Sequence, residues 1–136
     1  MTPMPRWPAV AGSFYPANPK ALRDEIDGLL GGQEAAREAR ARALMVPHAG
    51  LVYSGRIAAQ TLRHVRLPGT VLVIGPKHTP YGVDWAVAPH ETWSLPGATI
   101  ASDAALARQL AAAIPGPTPD TAAHAQEHAI EDPRSI

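Results

Sequence analysis

Apolar positions along this chain fall into two patterns. The first is helical. Leu22, Ile26, Leu29 and Leu30 share one face, with Asn18 placed as a cap, Pro19 at the first helical position and Gly31-Gly32 as the stop. Ile57, Thr61, Leu62 and Val65 recur at i, i+4, i+5 and i+8, between Ser54, expected to cap, and Leu67-Pro68-Gly69. Leu106, Leu110, Ala113 and Ile114 predict a third buried stripe, capped by Ser102 or Asp103 and ended by Pro115-Gly116-Pro117. The second pattern is continuous. Ala43-Leu44-Met45-Val46 and Thr70-Val71-Leu72-Val73-Ile74 are short apolar runs bounded by Pro or Gly, as buried strands of a parallel sheet are. Val83 to Ala88 predicts another strand, with Trp85 facing either core or groove, and Pro89 to Gly97 reads as a loop. Pro8 to Pro16 is extended and apolar, holds the only Phe, and is expected to pack onto the core.

The central unit therefore reads strand, helix, strand. If both strands join one sheet, the crossover makes them parallel and right-handed, and the residues that follow them emerge at the carboxyl edge, where open α/β sheets bind ligands. Those residues are Pro47-His48-Ala49-Gly50 and Gly75-Pro76-Lys77-His78-Thr79. Neighbouring strands lie ~4.8 Å apart, close enough for two neutral imidazoles to share one metal ion through bonds of about 2 Å. The plainer reading of each histidine is a hydrogen-bonded loop residue. The expected fold is an α/β three-layer sandwich with a parallel or mixed central sheet.

Composition narrows the function classes. The 136 residues suit one domain. Twelve basic residues balance twelve acidic ones, and no Lys/Arg cluster with interleaved aromatics exists, so nucleic acid is not expected as a partner. The absence of cysteine removes disulfides, thiolate metal sites and cysteine nucleophiles within these residues, so a metal site must use His, Asp or Glu. No run approaches the ~20 apolar residues of a membrane span, and the N-terminus lacks an apolar signal core, so the expected location is cytoplasmic. The fifteen prolines fall between periodic segments and mark boundaries.

Two segments are ambiguous. Gln33 to Arg42 carries no apolar face and reads as a solvated linker or short helix with a Glu38/Arg42 pair. His124 and His128 are spaced to share a helical face, a known zinc-binding arrangement, but the protease pattern His-Glu-x-x-His is absent.

Taken in order, Ala11-Gly12-Ser13-Phe14-Tyr15-Pro16, Val46-Pro47-His48-Ala49-Gly50-Leu51-Val52-Tyr53-Ser54-Gly55, Gly75-Pro76-Lys77-His78-Thr79 and Glu127-His128-Ala129-Ile130-Glu131 resemble the Memo family over nearly the whole chain. The resemblance implies a fold like that of class III extradiol, non-heme iron dioxygenases, with His48 and His78 among the metal-binding candidates. In animals the family mediates receptor-driven cell motility, with phosphorylated-peptide binding and copper- or iron-linked redox activity proposed; prokaryotic members have no settled reaction, and many are associated with a radical-SAM protein. Family members are roughly twice this long, and their second half would carry a Ser-Asp-x-x-His type motif and a cysteine that this chain lacks. Asp132-Pro133-Arg134-Ser135-Ile136 resembles nothing in the family. The chain is thus read as a single domain, residues 1–136, corresponding to the N-terminal half of a Memo-like protein truncated at its C-terminal end.

Two functions compete. In the first, His48 and His78 hold one iron or copper ion for redox or dioxygenase-like chemistry, and Glu127 or His128 supplies a third arm. The plainer reading of Glu127 and His128 is a helix start whose side chains satisfy loop backbone groups. In the second, a non-catalytic cleft formed by His48, His78, Lys77 and the Ser54 helix N-terminus accepts a small anion or a phosphorylated peptide, with Tyr53 and Trp93 as walls. Lys77 replaces a small polar residue common in the family and disfavours a nearby cation unless it turns away. Serine hydrolase chemistry at Ser54 lacks both triad partners and the Gly-x-Ser-x-Gly elbow. A half-length domain leaves a sheet edge and apolar surface uncovered, so a homo-oligomer or a complementary C-terminal chain is expected.

Overall fold

A computed structural model describes residues 4–31 and 39–131. Helix α1 spans Pro19–Leu30. Asn18 Oδ1 accepts the Ala21 N–H at 2.9 Å, and Gly31, at φ +71°, ends the helix in the left-handed conformation that glycine adopts without steric cost. Both ends therefore form as the sequence predicts. Leu22 is buried with Tyr15, Leu51 and Leu95, and Val10, Ala11, Phe14, Ile26 and Leu29 pack around them. The segment ahead of α1 thus joins the core, as expected.

Strands β1 (Pro5–Arg6), β3 (Thr92–Leu95) and β4 (Ala98–Ala101) make a mixed sheet in the order β1-β3-β4, with β1 parallel to β3 and β3 antiparallel to β4. β2 (Ala86–Val87) pairs in parallel with β5 (Thr118–Pro119). Helices α2 (Leu51–Arg63), α3 (Ala104–Ala113) and α4 (Ala122–Ala125) complete the element set among the described residues. The chain is α/β, with helices and a mixed sheet.

Several expectations are corrected. Residues 43–46 and 70–74 have no ladder partners among the described residues. Met45 and Ile74 are 92 % and 81 % exposed. A parallel strand is stable when buried on both faces, and these runs lack that cover here. Pro89 to Gly97 is not all loop, because Thr92–Leu95 pairs with Ala98–Ala101 across the two-residue Pro96-Gly97 turn. Trp85 faces solvent. α3 starts as predicted, with Asp103 Oδ1 accepting the Leu106 N–H at 2.9 Å, but Leu106 and Ile114 are exposed and only Ala104 is buried.

Helix α2 begins earlier than expected, at Leu51 with Gly50 as cap. Ser54 is not the cap: it lies inside the helix, buried, and its hydroxyl donates to the Ala49 carbonyl at 2.8 Å. The inward face is Leu51, Ser54, Gly55, Ala58 and Ala59, whereas Ile57 points outward. Small residues take the inside because α1 comes very close: a Cβ on Gly55 would lie 2.7 Å from Leu29 Cδ1. Glu38 of the Glu38/Arg42 pair, Gly32, residues 33–38 of the Gln33–Arg42 linker and Asp132–Ile136 lie outside the described residues.

Candidate metal centre

Three backbone segments build the centre. The first runs through His48 into α2, whose Leu51 N–H donates to the Phe14 carbonyl at 2.8 Å, tying this entry to the N-terminal segment. The second is the 75–79 loop, which lies flat against the third, residues 127–131. A Cβ on Gly75 would stand 2.8 Å from Ile130 Cγ2 and 2.9 Å from Ala129 Cβ, so only glycine permits this approach.

The 127–131 turn is fixed by charge. Arg6 and Glu131 form an ion pair with both side chains 1 % exposed. The Arg6 guanidinium also donates to the carbonyls of Trp7, His124 and Glu127. Glu131 accepts in addition from the Tyr15 hydroxyl and from the N–H groups of Ala9 and Val10, at 2.8 and 3.0 Å for the two N–H groups. Burial, the hydrogen bond to Glu131 and that carboxylate's charge push the Tyr15 hydroxyl well above its usual pKa, against the opposing charge of Arg6. The first and last of the four sequence motifs, far apart along the chain, thus meet around one carboxylate.

On this frame the His48 and His78 Nε2 atoms come to 3.3 Å. A third ring joins them. One donor nitrogen from each of His48, His78 and His128 lies within 4.8 Å of the others. His78 and His128 are stacked, with centroids 4.4 Å apart at 25°, and Phe14 packs on His128 at 4.6 Å. Burial lowers the His128 pKa, as do the neighbouring His78 and His48, against the charges of Glu127 and Glu131. The shift favours the neutral ring, the form that has a lone pair to offer.

Two nitrogens bound to one ion at about 2.05 Å are ~2.9 Å apart at a right angle and ~3.3 Å apart at a tetrahedral angle. The His48/His78 separation falls in this range, and the third ring offers a nitrogen within 4.8 Å of both. An imidazole donor set suits iron, copper or zinc.

Glu127 is buried behind His78. Its Oε1 sits 2.8 Å from His78 Nδ1 and accepts the N–H groups of His128 and Ala129 at 2.9 and 3.0 Å, while Oε2 accepts the His78 N–H. Burial alone pushes its carboxyl up, but these hydrogen bonds outweigh it and hold the pKa at about 2. Its oxygens are thus engaged by the 78 loop and by the turn it begins.

An open cleft of about 610 Å³ borders His48 and His128, with walls from Phe14, Pro47, Gly50 and Tyr53. Lys77 is half-buried and does not border it, and Trp93 lies elsewhere, beneath the Arg6 guanidinium at 5.1 Å. His124 also parts from His128. α4 ends at Ala125, so the two rings do not share a helical face, and His124 packs against His90 and Trp93. Sequence reasoning assigned no individual role to Arg6, Tyr15 or Glu131. The usable signal was a lone arginine near one end of the chain and an acidic residue closing the last motif at the other.

The family model for Memo-like proteins matches residues 6–133. A MEMO1 family protein of Aquifex aeolicus is 36% identical over 126 residues, covering 93% of this chain and 46% of that protein. One from Methanococcoides burtonii is 40% identical over the same share of each chain. One from Thermococcus kodakarensis is 39% identical over 133 residues, 94% of this chain and 45% of that protein. The chain spans about half the length of these relatives. Family motifs, their order and their convergence on one histidine cluster agree, and the chain belongs to the Memo-like family.

Proposed function

We propose that His48, His78 and His128 hold one iron or copper ion at the edge of the 610 Å³ cleft, for redox or dioxygenase-like chemistry on a small molecule. The observation that carries this reading is the 3.3 Å separation of the His48 and His78 Nε2 atoms, which matches two ligands of one ion. A bound ion of this kind supplies one-electron and dioxygen chemistry. The chain's own residues do the rest: each of the three imidazoles would offer one nitrogen, Phe14 packs on the His128 ring, and Tyr53 and Pro47 bound the space in which a ligand would lie. A cytoplasmic setting belongs to the same proposal, and no described helix is long and apolar enough to cross a membrane.

The anion-binding alternative is less well supported. It relied on the N-terminus of the second helix, and the Leu51 N–H there is already donated to Phe14. Lys77 stands away from the cleft.

Elemental analysis after anaerobic loading with iron or copper and removal of loose metal tests the proposal. One equivalent in the parent, and far less in His48→Ala and His78→Ala, is the expected result. A folded parent that retains no metal, or variants that retain as much, overturns it. Phosphopeptide binding that survives chelation would favour the alternative.

We further propose that the uncovered apolar runs at 43–46 and 70–74 are covered by a second copy or by a complementary chain. Light scattering that finds a monodisperse monomer would count against this.

A further inference from the structure

We infer that Glu127 is a positioning residue that fixes the tautomer and orientation of His78, so that the His78 Nε2 lone pair faces His48 and His128. The inference deepens the metal-binding reading, but its central claim concerns the metal-free protein.

Donors and acceptors decide the tautomer. An ionised carboxylate offers no proton, so the 2.8 Å contact between Glu127 Oε1 and the His78 ring is a hydrogen bond only if Nδ1 carries the hydrogen. A neutral imidazole has one such hydrogen, which leaves Nε2 bare. The carboxylate cannot turn away, because the N–H groups of His78, His128 and Ala129 converge on it, and the Arg6 guanidinium holds the Glu127 carbonyl from the other side. The same carboxylate therefore ties the backbone of His78 to the backbone of His128. It sets both the distance between the two loops and the direction in which one ring points.

The state of His48 is fixed in turn. With His78 Nε2 bare, the 3.3 Å contact to His48 Nε2 is a hydrogen bond donated by His48. In the metal-free protein, His48 carries its hydrogen on Nε2 and His78 carries its hydrogen on Nδ1. The two rings are not equivalent: His78 is set in its ligating form, whereas His48 must move its hydrogen to Nδ1 before Nε2 can bind a cation. Carboxylate-imidazole pairs behind metal ligands act in this way, and their loss weakens metal affinity ~10–100-fold.

Nitrogen-15 spectra of the histidine rings, recorded at a pH where the imidazoles are neutral, test this directly. In the metal-free parent, His78 is expected to be protonated at Nδ1 and His48 at Nε2. Zinc, used as a redox-silent probe, should strip the Nε2 hydrogen from His48 and leave the His78 tautomer unchanged. Glu127→Ala, which removes the acceptor facing Nδ1, should return His78 toward the Nε2-protonated form that free imidazole prefers. Its zinc dissociation constant should rise ~10–100-fold. A parent in which His78 carries its hydrogen on Nε2 overturns the inference whatever the variant does, including failure to fold. A folded Glu127→Ala that keeps His78 protonated at Nδ1 also overturns it. A parent with the expected tautomers that binds no metal would leave the role of Glu127 standing and refute the metal reading alone.

Discussion

Arg6 and Glu131 form a buried ion pair that joins the start of the described chain to its end. Around it, Tyr15, Ala9 and Val10 donate to the same carboxylate, so every approach to Glu131 is polar and satisfied. The pair holds the turn that presents His128 and Glu127, and the candidate centre depends on it from behind.

Removing one partner should therefore cost far more than a surface ion pair would. Arg6→Met leaves the Glu131 carboxylate buried without its countercharge, and the expected loss is about 3–5 kcal/mol, read from urea unfolding. Arg6→Met combined with Glu131→Gln should cost less than the sum of the single changes, because the uncompensated charge is gone. Strictly additive losses would show that the two side chains do not act as a pair.

Stability should fall as pH drops below about 6.5. Burial lowers the His90 pKa, as do the nearby His124 and Arg6, and burial with His78 and His48 lowers that of His128. Both rings take up a proton less readily in the folded chain, so the unfolded chain binds more protons in this window and gains on acidification. The contribution is fully present above the unfolded value and is lost as pH falls from there through the lower folded value. His90→Asn should flatten part of this slope in a series of unfolding curves from about pH 8 to about pH 5; an unchanged slope would remove His90 from the account.

Two glycines should respond oppositely to alanine. Gly82 sits at φ +70°, and a Cβ there would meet the Ala123 nitrogen at 2.5 Å, a backbone atom that cannot swing away. Gly82→Ala should destabilise by roughly 1–3 kcal/mol. Gly28 lies inside α1 with no neighbour within 4 Å of where a Cβ would stand. Gly28→Ala should stabilise by about 0.5–1 kcal/mol through helix propensity. Thermal melts of both variants decide the point.

Ile74 is 81 % exposed at the end of the apolar 70–74 run. Ile74→Lys should leave the stability of the isolated chain within ~0.5 kcal/mol of the parent, as surface changes do. It should also reduce self-association, measured by sedimentation over a range of concentrations. Unaltered association would place the contact elsewhere.

Local chemistry was legible in the sequence wherever neighbours along the chain decide the outcome. Asn18, Pro19 and Gly31 set the limits of α1, and Asp103 sets the start of α3, because a cap is a contact across a few residues. The sequence also brought His48 and His78 together, but by an argument from two adjacent parallel strands: the rings do approach to 3.3 Å, although neither run pairs as a strand among the described residues. What the sequence could not decide was which faces would be covered. The same periodicity fits Leu22 in the core and Leu106 in solvent, and only packing against another element distinguishes them. Tertiary structure also chose the third imidazole. His124 and His128 looked like one pair by spacing, yet α4 stops at Ala125 and sends His124 to His90 and Trp93, while His128 joins the centre. Glu127 shows the same division. Its sequence position allowed a ligand or a backbone cap, and the folded chain sets it to accept three backbone N–H groups and face the back of His78, a contact spanning 49 residues of sequence that no local rule contains.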